Sequence, residues 1–238
     1  MRLRFSEIIE FVDDAADGYT GEPVLSSYAI DTYDAFTAFE QDNNIYTTSV
    51  ATADGVFGVV IRFTETVADI DAVTLSPTSV KFDVLITDFP YEGTAGTSLA
   101  LRTQIDTEAE RSEERAMNEV DAGFVSFSWE PTVTADGLAV DIVPSAMVDV
   151  SSSDDDGSDS DEATSEEADE DADDEADESS RETSSMMWFS IDASAKPSAI
   201  VWDPVTGLSA NPLSGASAAA SLSLAVVLSA VLVAAFAM

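Results

Sequence analysis

The 238-residue chain carries 47 acidic and 9 basic residues, a net charge of −38, and it contains neither cysteine nor histidine. These absences exclude disulfides, thiolate chemistry and every nucleophile that relies on a histidine base. The charge argues against binding nucleic acid or anionic lipid headgroups through bulk electrostatics. The length fits about one domain, and 45% hydrophobic residues are enough for a buried core.

The N-terminal segment, Arg2–Phe11, is predicted to form a first strand followed by a turn. It contains basic residues, but no apolar run of 7–15 residues follows them, so it does not resemble a secretory signal peptide. If the protein is secreted, we expect its true N-terminus to lie further upstream. A cytosolic protein anchored by its C-terminal tail is the alternative.

The stretch after this strand resembles the front of a calcium-binding loop. In Asp13–Gly18, acids occupy loop positions 1 and 5 and a glycine occupies position 6. Ala15 and Val24 stand at positions 3 and 12, where oxygen ligands belong. The pattern therefore favours a solvated acidic turn over a metal site. If calcium binds, the candidate ligands are Asp13, Asp14, Asp17 and Glu22.

From Ser26 to Asp149 the apolar residues alternate with polar ones, which is typical of half-buried strands. Ala53-Asp54-Gly55 and Ala135-Asp136-Gly137 are turn signals between such runs and predict two hairpins. Residues 1–150 are therefore predicted to form the main part of an all-β antiparallel sandwich of about eight to ten strands. The alternating runs are Val56–Phe63, Val80–Ile86, Leu99–Ile105, Val125–Trp129 and Leu138–Ile142.

Two segments depart from this alternation. Asp106–Asp121 is rich in charged helix formers and predicts either a short solvent-facing helix or a mobile loop. Ser151–Ser185 contains 17 acids and one arginine, so it accounts for −16 of the net −38 and the remainder of the chain carries −22. It has too few apolar residues to offset chain entropy and is predicted to be a disordered acidic insert.

Alternation returns after the insert, and residues 186–204 are predicted to be the final strands of the same sandwich. About nineteen residues are too few for a core of their own, so they must pack on strands that precede the insert. Val140–Val150 is the expected neighbour. Trp129, Trp188 and Trp202 could be exposed aromatics that bind a glycan or protein, but their place in alternating strands favours core packing.

The C-terminal region combines a small-residue linker, 205–220, with an apolar tail, 221–238, and Asp203 is its last charged residue. This layout resembles a glycosylphosphatidylinositol (GPI) attachment signal, with Ser214, Gly215 and Ala216 as the lipid attachment site. A retained transmembrane helix and a buried core helix are the alternatives. The tail is at the short end for spanning a bilayer and has no flanking lysine or arginine.

Together these features predict a membrane-anchored protein on the extracellular face of the cell, with a structural, adhesive or recognition role. Its partners would be the membrane and an extracellular protein or glycan, and apart from calcium no cofactor is expected. The acidic, lysine-poor composition also fits a haloarchaeal surface protein held by a C-terminal helix. A carboxylate-dependent surface enzyme is the third hypothesis, although no pair of acids stands out by its context.

Overall fold

The computed structural model describes residues 2–70, 73–93, 96–107, 119–122, 125–150 and 183–208. Within these ranges the chain forms seventeen strands and no helix, which confirms the all-β prediction. Fifteen strands join in one large antiparallel sheet, and β6 and β7 form a separate pair. The strands are β1 Arg2–Val12, β2 Val24–Ala29, β3 Glu40–Asp42, β4 Ile45–Ala51, β5 Phe57–Thr64, β6 Ala68–Ile70, β7 Val73–Leu75, β8 Ser79–Thr87, β9 Thr97–Thr107, β10 Glu119–Ala122, β11 Val125–Ser128, β12 Thr132–Ala135, β13 Leu138–Pro144, β14 Val148–Val150, β15 Thr183–Asp192, β16 Ala199–Trp202 and β17 Val205–Leu208.

The large sheet folds into two layers that pack face to face. The front layer runs β2-β1-β9-β15, with β13 and β14 along the far edge of β15. The back layer runs β3-β4-β5-β8, and β16 and β17 lie end to end along the other edge of β8. Aromatic pairs join the layers: Phe5 lies 5.7 Å from Phe57, and Phe189 lies 4.5 Å from Trp202, between ring centroids.

The alternating runs supply the core between these layers. Every second residue of β5, from Phe57 to Phe63, is buried, and so is every second residue of β8, from Val80 to Ile86. Both predicted hairpins are present, as β4–β5 and β12–β13. In the second, Asp136 and Gly137 have φ values of 47° and 83°, as a two-residue type I′ turn requires.

The strand count exceeds the eight to ten that the sequence predicted. Several of the additional strands have only three residues: β3, β6, β7 and β14. A three-residue strand is too short to show an alternating pattern, so these pairings depend on neighbouring strands that the sequence does not reveal. The segment predicted as a helix or loop lies mostly outside the described residues, since β9 ends at Thr107 and β10 begins at Glu119.

The strands after the acidic run belong to the same sheet as those before it. β15 lies between β9 on one side and β13 and β14 on the other. Val150 pairs with Ser184, so the described residues on either side of the acidic run lie next to each other in the sheet. β15 begins at Thr183 and β17 extends to Leu208, so the final strands run beyond the predicted 186–204 at both ends. Of the predicted disordered insert, Ser151–Ser185, residues 151–182 lie outside the described residues, whereas 183–185 belong to β15, so the prediction is wrong for these three.

Candidate functional site

The four predicted calcium ligands lie in the loop between β1 and β2. The Glu22 carboxylate accepts hydrogen bonds from the amide of Thr20 at 2.7 Å, the Thr20 hydroxyl at 2.7 Å and the amide of Gly21 at 3.0 Å. The Thr20 hydroxyl and amide hold the pKa of this carboxyl below its usual value. In the part of the chain that the structure describes, no three acidic side chains are grouped so that they could hold a metal ion. The calcium site with Asp13, Asp14 and Asp17 stays a prediction.

The predicted lipid attachment residues, Ser214, Gly215 and Ala216, and the apolar tail after them lie outside the described residues. Among the residues that are described, no helix has the length and hydropathy needed to cross a membrane.

A buried ionic cluster lies on the outer side of β8. Lys81 and Asp83 alternate with the core residues of this strand and therefore face its other side, yet Lys81 is only 1% exposed and Asp83 only 6% exposed. Lys81 and Arg62 both form ion pairs with Asp83, and the Lys81 ammonium lies 3.3 Å from Asp203. Mutual pairing is what makes burial of these charges tolerable.

A second buried charge, Glu10, holds a loop. Its carboxylate accepts hydrogen bonds from the amides of Glu92 and Gly93, at 2.7 and 3.0 Å, and from the hydroxyls of Thr97 and Ser26, at 2.9 and 3.1 Å. Burial acts to raise the pKa of Glu10, but these hydrogen bonds outweigh it and leave the pKa below its usual value. Because this carboxylate is held by four groups of the protein itself and joins distant parts of the chain, Glu10 has an architectural role.

The outer side of the front layer carries the arrangement best suited to ligand binding. Strand register aligns Glu7, Arg102 and Trp188 across β1, β9 and β15. The Arg102 guanidinium lies 5.9 Å from the Trp188 ring centroid and 3.9 Å from the Glu7 carboxylate, and its Nε lies 2.6 Å from the sulfur of Met186. We call this surface the arginine face and define it by Arg2, Arg4, Arg102, Gln104, Met186, Trp188 and Tyr19.

The N-terminal acidic loop positions one edge of this face. The Tyr19 amide donates a hydrogen bond to the Ser190 hydroxyl at 2.9 Å, which holds the loop against β15. The Tyr19 ring then packs edge-on to Trp188, at 4.9 Å, and to Phe11, at 5.2 Å. Phe11 is fully buried under the loop, whereas Tyr19 and Trp188 remain half-buried. The loop that was predicted to be only a solvated turn therefore also supports an aromatic surface.

Charge distinguishes the arginine face from the rest of the described surface. Fifteen acids are exposed on the rest of this surface, against one exposed cation, Lys196, whereas the exposed Arg4 belongs to the arginine face. Three of the four arginines that the structure describes lie on β1 and β9 of the front layer, at Arg2, Arg4 and Arg102. The register pairs Arg4 with Gln104, Arg2 with Asp106 and Arg102 with Glu7, so this surface combines three arginines with one neutral polar group and two acids.

The sequence contained part of the signal for this face. Trp129 and Trp202 are 7% and 2% exposed, so core packing is confirmed for these two. Trp188 alternates with Met187 and Phe189, which are buried in the core, and it points to the opposite side of β15. Strict alternation therefore separates Trp188 from the other two, but it does not predict that Arg102 and Tyr19 lie beside it.

No family model matches the chain, and a search of curated proteins finds no significant relative.

Proposed function

We propose that this protein is anchored to a membrane at the cell surface and that its β-sandwich has a structural, adhesive or recognition role. The observation that carries the proposal is the order of segments at the C-terminal end. β17, Val205–Leu208, pairs with both β8 and β11, and the neutral, apolar residues 209–238 follow it directly. A tail of this composition would tether a folded domain to a bilayer.

The proposed mode of attachment is a GPI anchor at residues 214–216. Phosphatidylinositol-specific phospholipase C should release the protein from membranes of the cells that express it, and mass spectrometry should show a mature chain that ends within Ser214–Ala216. If mass spectrometry showed that the mature chain still contains Met238, and if the protein resisted the phospholipase, a transmembrane helix would be supported instead. Release by high salt alone, without detergent or lipase, would contradict membrane anchoring in either form.

A second candidate, a haloarchaeal surface protein held by a C-terminal helix, is favoured by the charges on the described surface. One of the two lysines, Lys81, is buried, which leaves Lys196 as the exposed lysine beside fifteen exposed acids. Such a surface repels itself in dilute buffer, and molar salt screens the repulsion because the Debye length falls to about 3 Å at 1 M.

The salt dependence of stability separates the two candidates. The thermal midpoint of residues 1–212 should rise steeply from dilute buffer to molar KCl if the protein is adapted to brine. The matched measurement replaces KCl by sucrose at equal osmolality, which adds no screening. A midpoint that is already maximal in dilute buffer would leave the GPI-anchored protein as the better proposal.

A further inference from the structure

We propose that the arginine face binds an acidic saccharide, a sugar or short oligosaccharide that carries a carboxylate. The inference rests on the recognition role proposed above and gives that role a ligand class and a location. Arg102 would pair with the carboxylate, Trp188 and Tyr19 would contact the sugar ring, and Gln104 would bind hydroxyl groups.

Arg102 supplies the positive charge for this site. Its side chain is 40% exposed, and Glu7 approaches it only to 3.9 Å, longer than a normal hydrogen bond. A planar guanidinium binds a carboxylate through two parallel hydrogen bonds, a geometry that lysine cannot provide. Arg4 lies on the neighbouring strand opposite Gln104 and adds positive charge to the same side of the sheet. Elsewhere on the described surface an anion would meet mostly exposed acids.

Trp188 supplies the aromatic surface for a sugar ring. It lies between the Tyr19 ring at 4.9 Å and the Arg102 guanidinium at 5.9 Å, and it is half-buried in the middle of a sheet. An aromatic side chain in this setting offers an apolar surface that is flanked by polar groups. The Gln104 amide, which donates to the Ser184 hydroxyl at 2.8 Å, supplies such a group on the same side of the sheet.

The sheet pairing favours a saccharide over an extended acidic peptide. β9 is paired on both sides at Arg102, with Glu7 of β1 and Trp188 of β15. On the far side of Trp188, its amide donates to the Ser145 hydroxyl at 3.0 Å and its carbonyl accepts from the Ser145 amide at 2.8 Å. No strand edge is therefore open at these two residues, so a peptide could not bind here by adding a strand. A ligand must use side chains alone, which suits a ring bearing hydroxyl and carboxylate groups.

The test uses the full chain in detergent solution, so it does not depend on how the protein is anchored. Trigalacturonic acid is the probe, with maltotriose as its neutral counterpart and a short poly-aspartate peptide as its acidic, ring-free counterpart. Trp129 and Trp202 are buried, so acrylamide quenching of tryptophan fluorescence reports mainly on Trp188. Trigalacturonic acid should bind saturably in calorimetry and protect Trp188 from acrylamide.

Variants assign the roles of the residues. Arg102→Gln should weaken binding of trigalacturonic acid at least about tenfold, since a hydrogen bond to a charged group is lost. Lys196→Gln changes the net charge by the same amount at an exposed position in the loop between β15 and β16, and it should leave the affinity unchanged. Unfolding curves of both variants check that the fold is intact.

Several outcomes would overturn the proposal. One is that the unaltered protein does not bind trigalacturonic acid at concentrations up to millimolar, and another is that it binds maltotriose with equal affinity. A third is that poly-aspartate binds as tightly or more tightly, which would assign the face to acidic peptides. Because membrane release is measured separately, failure here would leave the anchored surface role intact. Failure of the anchor would likewise leave the saccharide site testable.

Discussion

The carboxylate of Glu10 accepts a hydrogen bond at 3.0 Å from the amide of Gly93, which lies 83 residues further along the chain. Gly93 is required at this point, because a Cβ there would lie 2.6 Å from the Glu10 carboxylate and 2.5 Å from the Thr97 side chain. Glu10 thus fastens the loop after β8 to the first strand of the front layer. The contact is made by a charged group that is fully buried.

Replacing Glu10 with Gln should destabilise the protein by about 1–3 kcal/mol, because charge-assisted hydrogen bonds are lost and the new amide group faces backbone donors. Urea denaturation at neutral pH measures this free energy. Glu92→Gln, an exposed glutamate in the same loop, is the matched control and should change stability by less than about 0.5 kcal/mol. Equal effects of the two substitutions would contradict the role assigned to Glu10.

The same contact predicts a pH dependence. Hydrogen bonds hold the pKa of Glu10 in the folded protein below its ordinary value of 4.5. Its contribution to stability is therefore fully present above this ordinary value and is lost as the pH falls through the lower pKa of the folded state. The stability gap between the unaltered protein and Glu10→Gln should be constant near neutral pH and shrink on acidification. If this difference in stability instead widened on acidification, Glu10 would have a raised pKa in the folded protein, and the role assigned to its hydrogen bonds would be refuted.

The two lysines of the chain offer a paired test of the buried ionic cluster. Lys81→Met removes one of the two cations that pair with the buried Asp83 carboxylate and leaves Arg62 beside it, so we expect a loss of about 3 kcal/mol or more. Lys196→Met removes an exposed lysine and should cost much less. The double substitution Lys81→Met and Asp83→Leu should recover part of the loss. Denaturant unfolding measures the free energy of unfolding of all three variants. Equal losses of stability for the two single lysine substitutions would show that burial of the ionic cluster contributes nothing extra to stability.

Shortening the acidic run tests how the two halves of the sandwich depend on each other. Replacing residues 152–182 with Asn-Gly joins β14 to β15 by a two-residue turn and keeps the pairing of Val150 with Ser184. The domain should stay folded, and its free energy of unfolding should rise by up to about 2 kcal/mol. The reason is that the loop length is halved roughly four times, and each halving lowers the entropic cost of closing the loop. A variant of unchanged length with the acids replaced by Ser and Asn separates charge repulsion from loop entropy.

The opposite change, truncation after Ser151, should unfold the protein, because β9 and β13 lose the strand that lies between them. Circular dichroism and thermal melting would detect the loss. A fragment 1–151 that melts cooperatively at the temperature of the full domain would show that the final strands are dispensable.

The sequence predicted the long strands because burial of one face leaves a period of two in residues such as Phe57–Phe63 and Val80–Ile86. It did not predict the burial of Lys81 and Asp83, since alternation tells which side of a strand a residue faces and not what covers that side. It also did not predict that β15 pairs with β9 along its whole length. Such pairing is non-local, and no short pattern in either strand specifies the other.

The arginine face illustrates the same limit. Trp188 and Arg102 each alternate with core residues and could be assigned to outward positions one strand at a time. Their proximity depends on the register of two strands that are 86 positions apart along the chain (Trp188 against Arg102). Tyr19 reaches them through a loop held by the Ser190 hydroxyl, and a loop path of this kind leaves no periodic signal.

β13 takes part in both layers: Leu138–Asp141 pairs with β12, and Ile142–Pro144 pairs with β15. Neither layer can therefore swing away from the other without breaking the backbone ladder of this one strand. Amide hydrogen exchange should accordingly find no sub-global opening that frees the front strands while the back strands stay protected. The slowest amides of β8 and β9, which belong to different layers, should exchange with the same free energy, as parts of one cooperative unit.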